Sequence, residues 1–234
     1  MSQLILLRHG QSIWNARNLF TGWVDVPLSE KGINEALEAG EQIKDIPIDI
    51  IYMSSLIRSK MTAMLAMSKH KGGKTPVMVN TDQVLMEDWS KIYNEEEASQ
   101  SIPAYSQWEF NERMYGDLQG LNKDQMVETH GKEQVEYWRR SFNGTPPNGE
   151  SLKKTADRVV PYFKKFVYTR LSREKNILIS AHGNSLRALI MELNQLSEES
   201  IVNLEIPTGK PIVYHYNNKD GSCLMDKQFS IELP

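Results

Sequence analysis

Leu4-Ile5-Leu6-Leu7-Arg8-His9-Gly10 opens the chain with a short apolar run that ends in a cation, an imidazole and a glycine. Four consecutive aliphatic residues are typical of a strand that is buried on both faces of a parallel sheet. Ligands of open α/β sheets bind just beyond the carboxyl ends of such strands. The stretch therefore predicts a strand that carries Arg8 and His9 to an edge where ligands bind.

A second apolar run with a similar ending lies far downstream, at Asn176-Ile177-Leu178-Ile179-Ser180-Ala181-His182-Gly183. Two buried strands that each end in His-Gly could place two imidazoles side by side. The alternative is two unrelated strand-to-helix turns in which glycine supplies a positive φ. The matching contexts, together with the arginine before the first histidine, favour a shared site.

Composition restricts the class of protein. The chain has 234 residues, and its net charge of −3 argues against broad attraction to nucleic acid or to a membrane surface. Cys223 is the single cysteine, which excludes an internal disulfide and fits a reducing compartment. No apolar run approaches the roughly 18 residues of a membrane span, and the first strand leaves no room for a signal peptide. We expect a cytoplasmic protein whose anion-binding cations are local.

Apolar residues at helical spacing alternate with strand-like runs along the chain. We predict helices over about 29–43, 54–68, 151–171 and 184–193, and further strands over 48–53, 77–79, 212–216 and 228–231. The expected fold is α/β with three layers, a mostly parallel central sheet carrying helices on both faces. We interpret residues 1–234 as a single domain with an insertion or cap at about 70–110.

An arginine–histidine pair with a second histidine suits phosphoryl transfer without a metal. Histidine can be neutral and nucleophilic near pH 7, so His9 could attack phosphorus directly. Arg8, Arg58 and His182 could supply the positive charge that magnesium often provides. Arg58 opens a helix at a strand's carboxyl end, where it is either a solvated surface charge or a residue of the same edge. The five histidines are scattered, and no Cys/His cluster has zinc spacing.

A carboxylic acid is also needed, because the leaving oxygen is poor unless it is protonated. Glu112 is the candidate, and the alternative is that it forms a salt bridge with Arg113. Arg139 and Arg140 end a predicted helix, where adjacent arginines are either a solvated face or two ligand-binding cations.

Several blocks resemble the cofactor-dependent phosphoglycerate mutases, a branch of the histidine phosphatase superfamily. The blocks span nearly the whole chain: Leu-Arg-His-Gly-Gln-Ser-Ile-Trp-Asn (7–15), Phe-Thr-Gly-Trp (20–23), Pro-Leu-Ser-Glu-Lys-Gly (27–32), Asn-Glu-Arg-Met-Tyr-Gly (111–116), Leu-Gln-Gly-Leu-Asn-Lys (118–123), Trp-Arg-Arg (138–140), Ala-His-Gly-Asn-Ser-Leu-Arg (181–187) and Ile-Pro-Thr-Gly-Lys-Pro (206–211). Arg-His-Gly alone marks only the superfamily, whereas the blocks at 111–113, 120–123, 138–140 and 206–209 are more specific to the mutases.

The resemblance implies a phosphoglycerate mutase-like fold and a set of residue roles. His9 would be the phosphorylated nucleophile, Glu112 the proton donor and acceptor, and His182 would stabilise the transferring group with Arg8 and Arg58. The residues implied to bind substrate, beyond Arg8, Arg58 and Glu112, are Ser12, Asn15, Thr21, Gly22, Arg113, Tyr115, Lys123, Arg139, Arg140, Gly183 and Asn184. Arg8 and Arg58 would hold one end of a small polyanion. The other end would be held by Tyr115, Lys123, Arg139 and Arg140.

The implied reaction is the glycolytic and gluconeogenic interconversion of 3-phosphoglycerate and 2-phosphoglycerate. It would be primed by 2,3-bisphosphoglycerate and need no metal, and the enzyme would be a homodimer or homotetramer without nucleic-acid or membrane partners. One alternative is a phosphatase, in which water attacks the same phosphohistidine. A second is a non-catalytic sensor of a phosphate ligand, which would need neither a nucleophile nor an acid.

Overall fold

The computed structural model describes residues 1–79 and 94–234, and its centre is one seven-stranded sheet. The strands are β1 (Ser2–Arg8), β2 (Ile50–Ser54), β3 (Thr75–Met78), β4 (Ser101–Gln107), β5 (Ile177–Ala181), β6 (Pro211–Tyr216) and β7 (Cys223–Met225). Their order across the sheet is β3-β4-β2-β5-β1-β6-β7. The first five strands in this order run parallel, β6 pairs antiparallel with β1, and β7 pairs antiparallel with β6, so the predicted mostly parallel sheet is confirmed.

Helices cover both faces of the sheet, as predicted. They are α1 (Ile13–Ala16), α2 (Glu30–Ile43), α3 (Ile57–Met67), α4 (Glu95–Ser99), α5 (Lys123–His130), α6 (Lys132–Arg140), α7 (Leu152–Tyr162), α8 (Thr169–Leu171), α9 (Gly183–Asn194) and α10 (Glu198–Ile201). Short 3₁₀ turns lie at Trp108–Phe110 and Gly116–Leu118, and a π-helical segment at Phe163–Tyr168 joins α7 to α8. Pro161 lies inside α7, just before that π segment.

The alternation of side chains along β1 explains the three layers. Leu4 and Leu6 pack with residues of α7 and α9 on one face, and Ile5 and Leu7 pack with residues of α2 and α3 on the other. All four side chains are fully buried. The aliphatic run is therefore apolar throughout because both of its faces are covered.

The register of the parallel strands brings the two His-Gly turns together. β1 pairs with β5 so that Arg8 lies opposite Ala181, and the His9 amide donates to the Ala181 carbonyl at 3.0 Å. His9 and His182 thus follow neighbouring strands at the same edge of the sheet.

Two sequence-based expectations are corrected. Within the segment 70–110, β3 and β4 belong to the sheet, so these parts are not a cap; residues 80–93 of that segment lie outside the described residues. The last strand is Cys223–Met225 and not 228–231, because a tight turn closed by the Gly221 amide on the Asn217 carbonyl returns the chain to β6 at once. The single-domain organisation stays a prediction.

Among the helices that the structure describes, none is long and apolar enough to span a membrane.

Candidate active site

His9 lies at the carboxyl end of β1 with one ring nitrogen directed away from the protein backbone. Its Nδ1 lies 2.7 Å from the Gly10 carbonyl oxygen, which can only accept, so Nδ1 carries the proton and Nε2 keeps its lone pair. Burial and the positive charges of Arg58 and Arg8 hold the pKa of His9 well below its ordinary value. The ring is therefore a neutral base at pH 7, the state that a nucleophile requires.

His182 packs against His9, as the paired strand endings predict. The two ring centroids lie 4.8 Å apart, and the Nε2 of His182 lies 2.7 Å from the Ser54 hydroxyl at the end of β2. Burial, followed by the nearby charge of Arg58, lowers the pKa of His182 well below its ordinary value. The site therefore holds two neutral imidazoles on adjacent parallel strands.

Arg58 is buried and lines the cavity described below, so it is not a solvated surface charge. Its side chain is buried in the first turn of α3, and its guanidinium donates to the carbonyls of Val24 at 2.9 Å and Gly22 at 2.7 Å. Burial lowers the pKa of Arg58 to about 10, which leaves the group charged at neutral pH. Arg8 donates to the Ile206 carbonyl. The Nε atoms of Arg8 and Arg58 are buried and have no hydrogen-bond partner in the described part of the chain, so both retain donor capacity.

Glu112 contacts the start of α9 and does not pair with the Arg113 side chain. Its Oε1 accepts from the amide of Arg113 at 2.8 Å, and from the amide and side chain of Asn184 at 3.1 and 2.9 Å. Burial raises the pKa of Glu112, but these hydrogen bonds and the charges of Arg8 and Arg58 outweigh it, so the net shift is downward. Glu112 is ionised at neutral pH and positioned within the site.

The Glu112 loop is held by a residue that the sequence analysis missed. Arg158, on α7, donates to the carbonyls of Asn111 at 3.0 Å and Glu112 at 2.9 Å. Its guanidinium also forms an ion pair with Glu150 at 2.8 Å. In the sequence, Arg158 is only an arginine on an amphipathic helix, and it lies 46 residues from Glu112 in the loop that it holds.

A cavity of about 220 Å³ opens in front of His9. Its lining includes most of the predicted residues, namely Arg8, His9, Asn15, Thr21, Gly22, Arg58, Glu112, Tyr115, Lys123, Arg139, Arg140, Gly183 and Asn184. It also includes Leu19, Phe20, Arg187 and Glu205, which were not predicted as site residues. Six cations and two carboxylates therefore face one small space, a lining suited to a polyanion.

Three predicted residues lie behind the lining. His182 is fully buried beside His9. Ser12 is the N-cap of α1, where its hydroxyl accepts from the Asn15 amide at 3.1 Å, so its visible role is structural. Arg113 is fully buried and donates to the Tyr115 hydroxyl at 3.1 Å, so it positions a lining residue instead of lining the cavity itself.

A second group of cations stands on elements other than the sheet. Arg139 and Arg140 end α6, Lys123 begins α5, and Arg187 lies on α9. Burial and the charge of Arg139 lower the pKa of Lys123. Arg139 and Arg140 thus both line the cavity, which decides against a merely solvated helix face for this pair. One cavity is thus lined by Arg8 and Arg58 beside His9 and by a second basic set, Lys123, Arg139, Arg140 and Arg187.

Comparison with known proteins agrees with this geometry. The sequence profile of the histidine phosphatase superfamily (branch 1) matches residues 4–110 and 96–225. The chain belongs to the histidine phosphatase superfamily. The arginine and histidine of the first strand ending and the histidine of the second lie within the matched ranges of this superfamily.

Relatives within the superfamily are similar over nearly the whole chain. A protein of Protochlamydia amoebophila (strain UWE25) is 57% identical over 220 residues, which are 94% of this chain and 97% of that protein. A protein of Chlamydia muridarum is 55% identical over 219 residues, which are 94% and 96% of the two chains. Both are named 2,3-bisphosphoglycerate-dependent phosphoglycerate mutase.

Solved structures share the superfamily fold at low sequence identity. YhfR of Bacillus stearothermophilus has a TM-score of 0.75 at 18% identity and covers 99% of this chain and 98% of its own. A mycobacterial glucosyl-3-phosphoglycerate phosphatase has a TM-score of 0.72 at 23% identity, with coverages of 97% and 98%. These likenesses confirm the predicted phosphoglycerate mutase-like fold class and carry no statement about substrate.

Proposed function

We propose that this protein is a 2,3-bisphosphoglycerate-dependent phosphoglycerate mutase that interconverts 3-phosphoglycerate and 2-phosphoglycerate. The names of relatives at 53–57% identity support this function. The observation in the molecule that carries it is the second basic set, Lys123, Arg139, Arg140 and Arg187, which lines the same cavity as His9. A mutase must hold the carboxylate of its substrate as well as the phosphate, whereas a general phosphatase needs only the cations around phosphorus.

Charge and protonation at the site fit transfer through a phosphohistidine. With a phosphoryl group on His9 Nε2, a substrate hydroxyl attacks phosphorus, the P–N bond breaks, and ionised Glu112 takes the hydroxyl proton. A doubly phosphorylated glycerate is left in the cavity. The same Nε2 then attacks the substrate's original phosphorus, and Glu112 returns the proton to the leaving oxygen. The lowered pKa of Glu112 suits the first half-reaction, which needs a base.

The positive charge around phosphorus comes from side chains. Arg8 and Arg58 each keep a buried guanidinium donor without a protein partner among the residues described, and His182 stands beside the nucleophile. These groups would stabilise the charge on the equatorial oxygens in the transition state. Within residues 1–79 and 94–234, no cluster of three His, Cys, Asp or Glu side chains is arranged to bind a metal. Because Arg8, Arg58 and His182 would supply the positive charge around phosphorus, we propose that the reaction needs no metal and that activity survives EDTA.

The same residues fit the primer. 2,3-Bisphosphoglycerate carries two phosphates and a carboxylate, and when bound it supplies the phosphoryl group that charges His9. Arg8 and Arg58 would hold one phosphate, and Lys123, Arg139 and Arg140 the groups at the far end. We propose that the other predicted lining residues also contact substrate. They are Asn15, Thr21, Gly22, Tyr115, Gly183 and Asn184.

A coupled assay with 3-phosphoglycerate, with and without the bisphosphate primer, tests the proposal. A mutase forms 2-phosphoglycerate and is activated by primer. A phosphatase releases inorganic phosphate in both conditions, and a non-catalytic sensor gives neither product. Release of phosphate without 2-phosphoglycerate would overturn the proposed function.

Three statements about the protein's setting remain proposals. We infer that it is a single domain, that it works in the cytoplasm as a glycolytic enzyme, and that it forms a homodimer or homotetramer. Gel filtration with light scattering measures the last of these, and a monomer at assay concentration would contradict it.

A further inference from the structure

The Glu205 carboxylate lines the same cavity that the carboxylate of the proposed substrate would enter. It lies in the loop between α10 and β6, and its neighbours Leu204 and Ile206 are buried. The Leu204 carbonyl accepts from Arg187 at 2.8 Å, and the Ile206 carbonyl accepts from Arg8. Both neighbours are thus anchored to cations of the site, and the side chain between them lines the cavity with 67% of its surface exposed.

The contacts of Glu205 are with the second basic set. Its Oε1 lies 2.6 Å from a terminal nitrogen of Arg140, and its Oε2 lies 3.9 Å from one of Arg187. Arg187 is fixed independently, since it also donates to the Asn184 side chain at 3.2 Å. Arg140 has no other ion-pair or hydrogen-bond partner in the parts of the chain that the structure describes. Among the described residues, Glu205 is therefore the one polar partner of the Arg140 guanidinium.

The two carboxylates of the cavity differ in their surroundings. Glu112 is half-buried and accepts three hydrogen bonds from nitrogens at the site, which fits a group that exchanges protons with the substrate. Glu205 is exposed and contacts only arginines, and no contact joins it to His9 or Glu112 in the described residues. Its charge opposes the binding of an anion, so a role other than proton transfer is needed to explain it.

We propose that Glu205 competes with the substrate's second anionic group for Arg140, and thereby lowers the affinity of the pocket for phosphate esters that carry such a group. This rests on the proposed function, since it names the ligand class of the same site. A ligand with a carboxylate or second phosphate replaces Glu205 on Arg140, so one pair is exchanged for another. A phosphate ester with a neutral tail leaves the pair intact, so the competition does not lower its affinity.

The energetics allow this exchange. Ion pairs between exposed side chains are weak because water and salt screen them and because ordering long side chains costs entropy. Arg140 is 41% exposed in its pair with Glu205, so a substrate carboxylate can displace the internal one. Removing the competitor should strengthen binding by about two- to fivefold, the range expected for one exposed ion pair.

The test compares two ligands that differ in one anionic group. Binding of 3-phosphoglycerate and of glycerol 3-phosphate is measured by calorimetry for the wild-type enzyme and for Glu205→Gln. We expect the variant to bind 3-phosphoglycerate about two- to fivefold more tightly, with a smaller change for glycerol 3-phosphate, and to lower KM with little change in kcat. Glu198→Gln, an exposed glutamate on α10, is the matched control and should leave both affinities unchanged.

The competition also predicts how Glu205→Gln changes the two affinities in an enzyme that lacks the Arg140 guanidinium. In Arg140→Gln, the further change Glu205→Gln should alter the ratio of the two affinities less than it does in the wild type. An unchanged ratio in Glu205→Gln alone, or weaker binding of 3-phosphoglycerate, would overturn the inference. If the wild type binds 3-phosphoglycerate but does not convert it, the proposed function fails while the affinity ratio still tests Glu205.

Discussion

The position of one proton decides which nitrogen of His9 can attack phosphorus. The Gly10 carbonyl fixes it on Nδ1, and burial beside two arginines keeps the ring neutral. His9→Ala should therefore lower turnover by at least about 10³-fold, the scale on which an enzyme loses activity with its nucleophile, while the fold stays intact. Coupled turnover and circular dichroism measure the two effects.

Phosphoryl labelling makes this prediction specific. Incubation with labelled 2,3-bisphosphoglycerate should leave acid-labile, base-stable label on the wild type and none on His9→Ala. His70→Ala, which alters a histidine outside the cavity lining, is the matched control and should label like the wild type. An active His9→Ala enzyme, or label on serine, would contradict the phosphohistidine.

Glu112 tests the proton transfer at the same scale. Glu112→Gln keeps a side-chain oxygen that can accept from the Arg113 amide and from Asn184, but it cannot exchange a proton. We expect kcat to fall by about 10²- to 10⁴-fold, the usual contribution of general acid–base catalysis, with little change in stability. Stopped-flow and steady-state rates measure the loss. A variant with wild-type kcat would show that another group moves the proton.

Prediction from sequence worked best for residues tied to strand ends. His9 and His182 were expected together because each follows a buried parallel strand, and parallel strands share a carboxyl edge. Ser12 and Arg113 were assigned to substrate, but one caps α1 and the other supports Tyr115. Sequence patterns and family resemblance can predict that a residue lies near a site. Whether its side chain reaches the cavity depends on tertiary packing, which a sequence pattern does not show.

At the scale of elements, α7 positions the acid loop through one side chain. Removal of Arg158 would leave Glu150 without its partner and the Asn111 and Glu112 carbonyls without their donor. Arg158→Ala should cost about 3 kcal/mol of stability, the lower end for removing one partner of a buried pair, because Glu150 is partly exposed. It should also lower kcat by releasing the loop.

Urea unfolding and steady-state kinetics check both parts of this prediction. Lys154→Ala, at an exposed position of the same helix, is the matched control and should change neither quantity appreciably. A stability loss without any change in kcat would mean that Arg158 supports the fold alone and does not hold Glu112.

The boundaries of strands were harder to predict where the strand propensity of the residues disagrees with their position in the sheet. β4 lies inside the sheet between β3 and β2, yet it contains Pro103, a residue that usually argues against a central strand. Its buried residues alternate instead of forming a run, unlike those of β1. The sequence therefore favoured an insertion or cap at about 70–110 with a strand only at 77–79, and long-range pairing added β4 to the sheet.

At the scale of the whole molecule, the fold keeps two histidines neutral and buried at one sheet edge, which makes stability depend on pH. The pKa values of His9 and His182 are lowered in the folded state, whereas both return to about 6.5 on unfolding. Above pH 6.5 neither state binds these protons, so the histidines impose no penalty. Below it the unfolded chain binds more protons than the folded one, and the free energy of unfolding falls.

The expected loss approaches about 1.4 kcal/mol per pH unit for each histidine once the pH is well below 6.5. Urea unfolding between pH 7.5 and 5.5 measures it, and the window lies above the range in which Glu112, with its lowered pKa, would titrate. His9→Ala should remove the part of the slope that comes from its own ring. The same slope in the wild type and in His9→Ala would mean that folding does not lower the pKa of His9, and would contradict the buried neutral ring on which the mechanism depends.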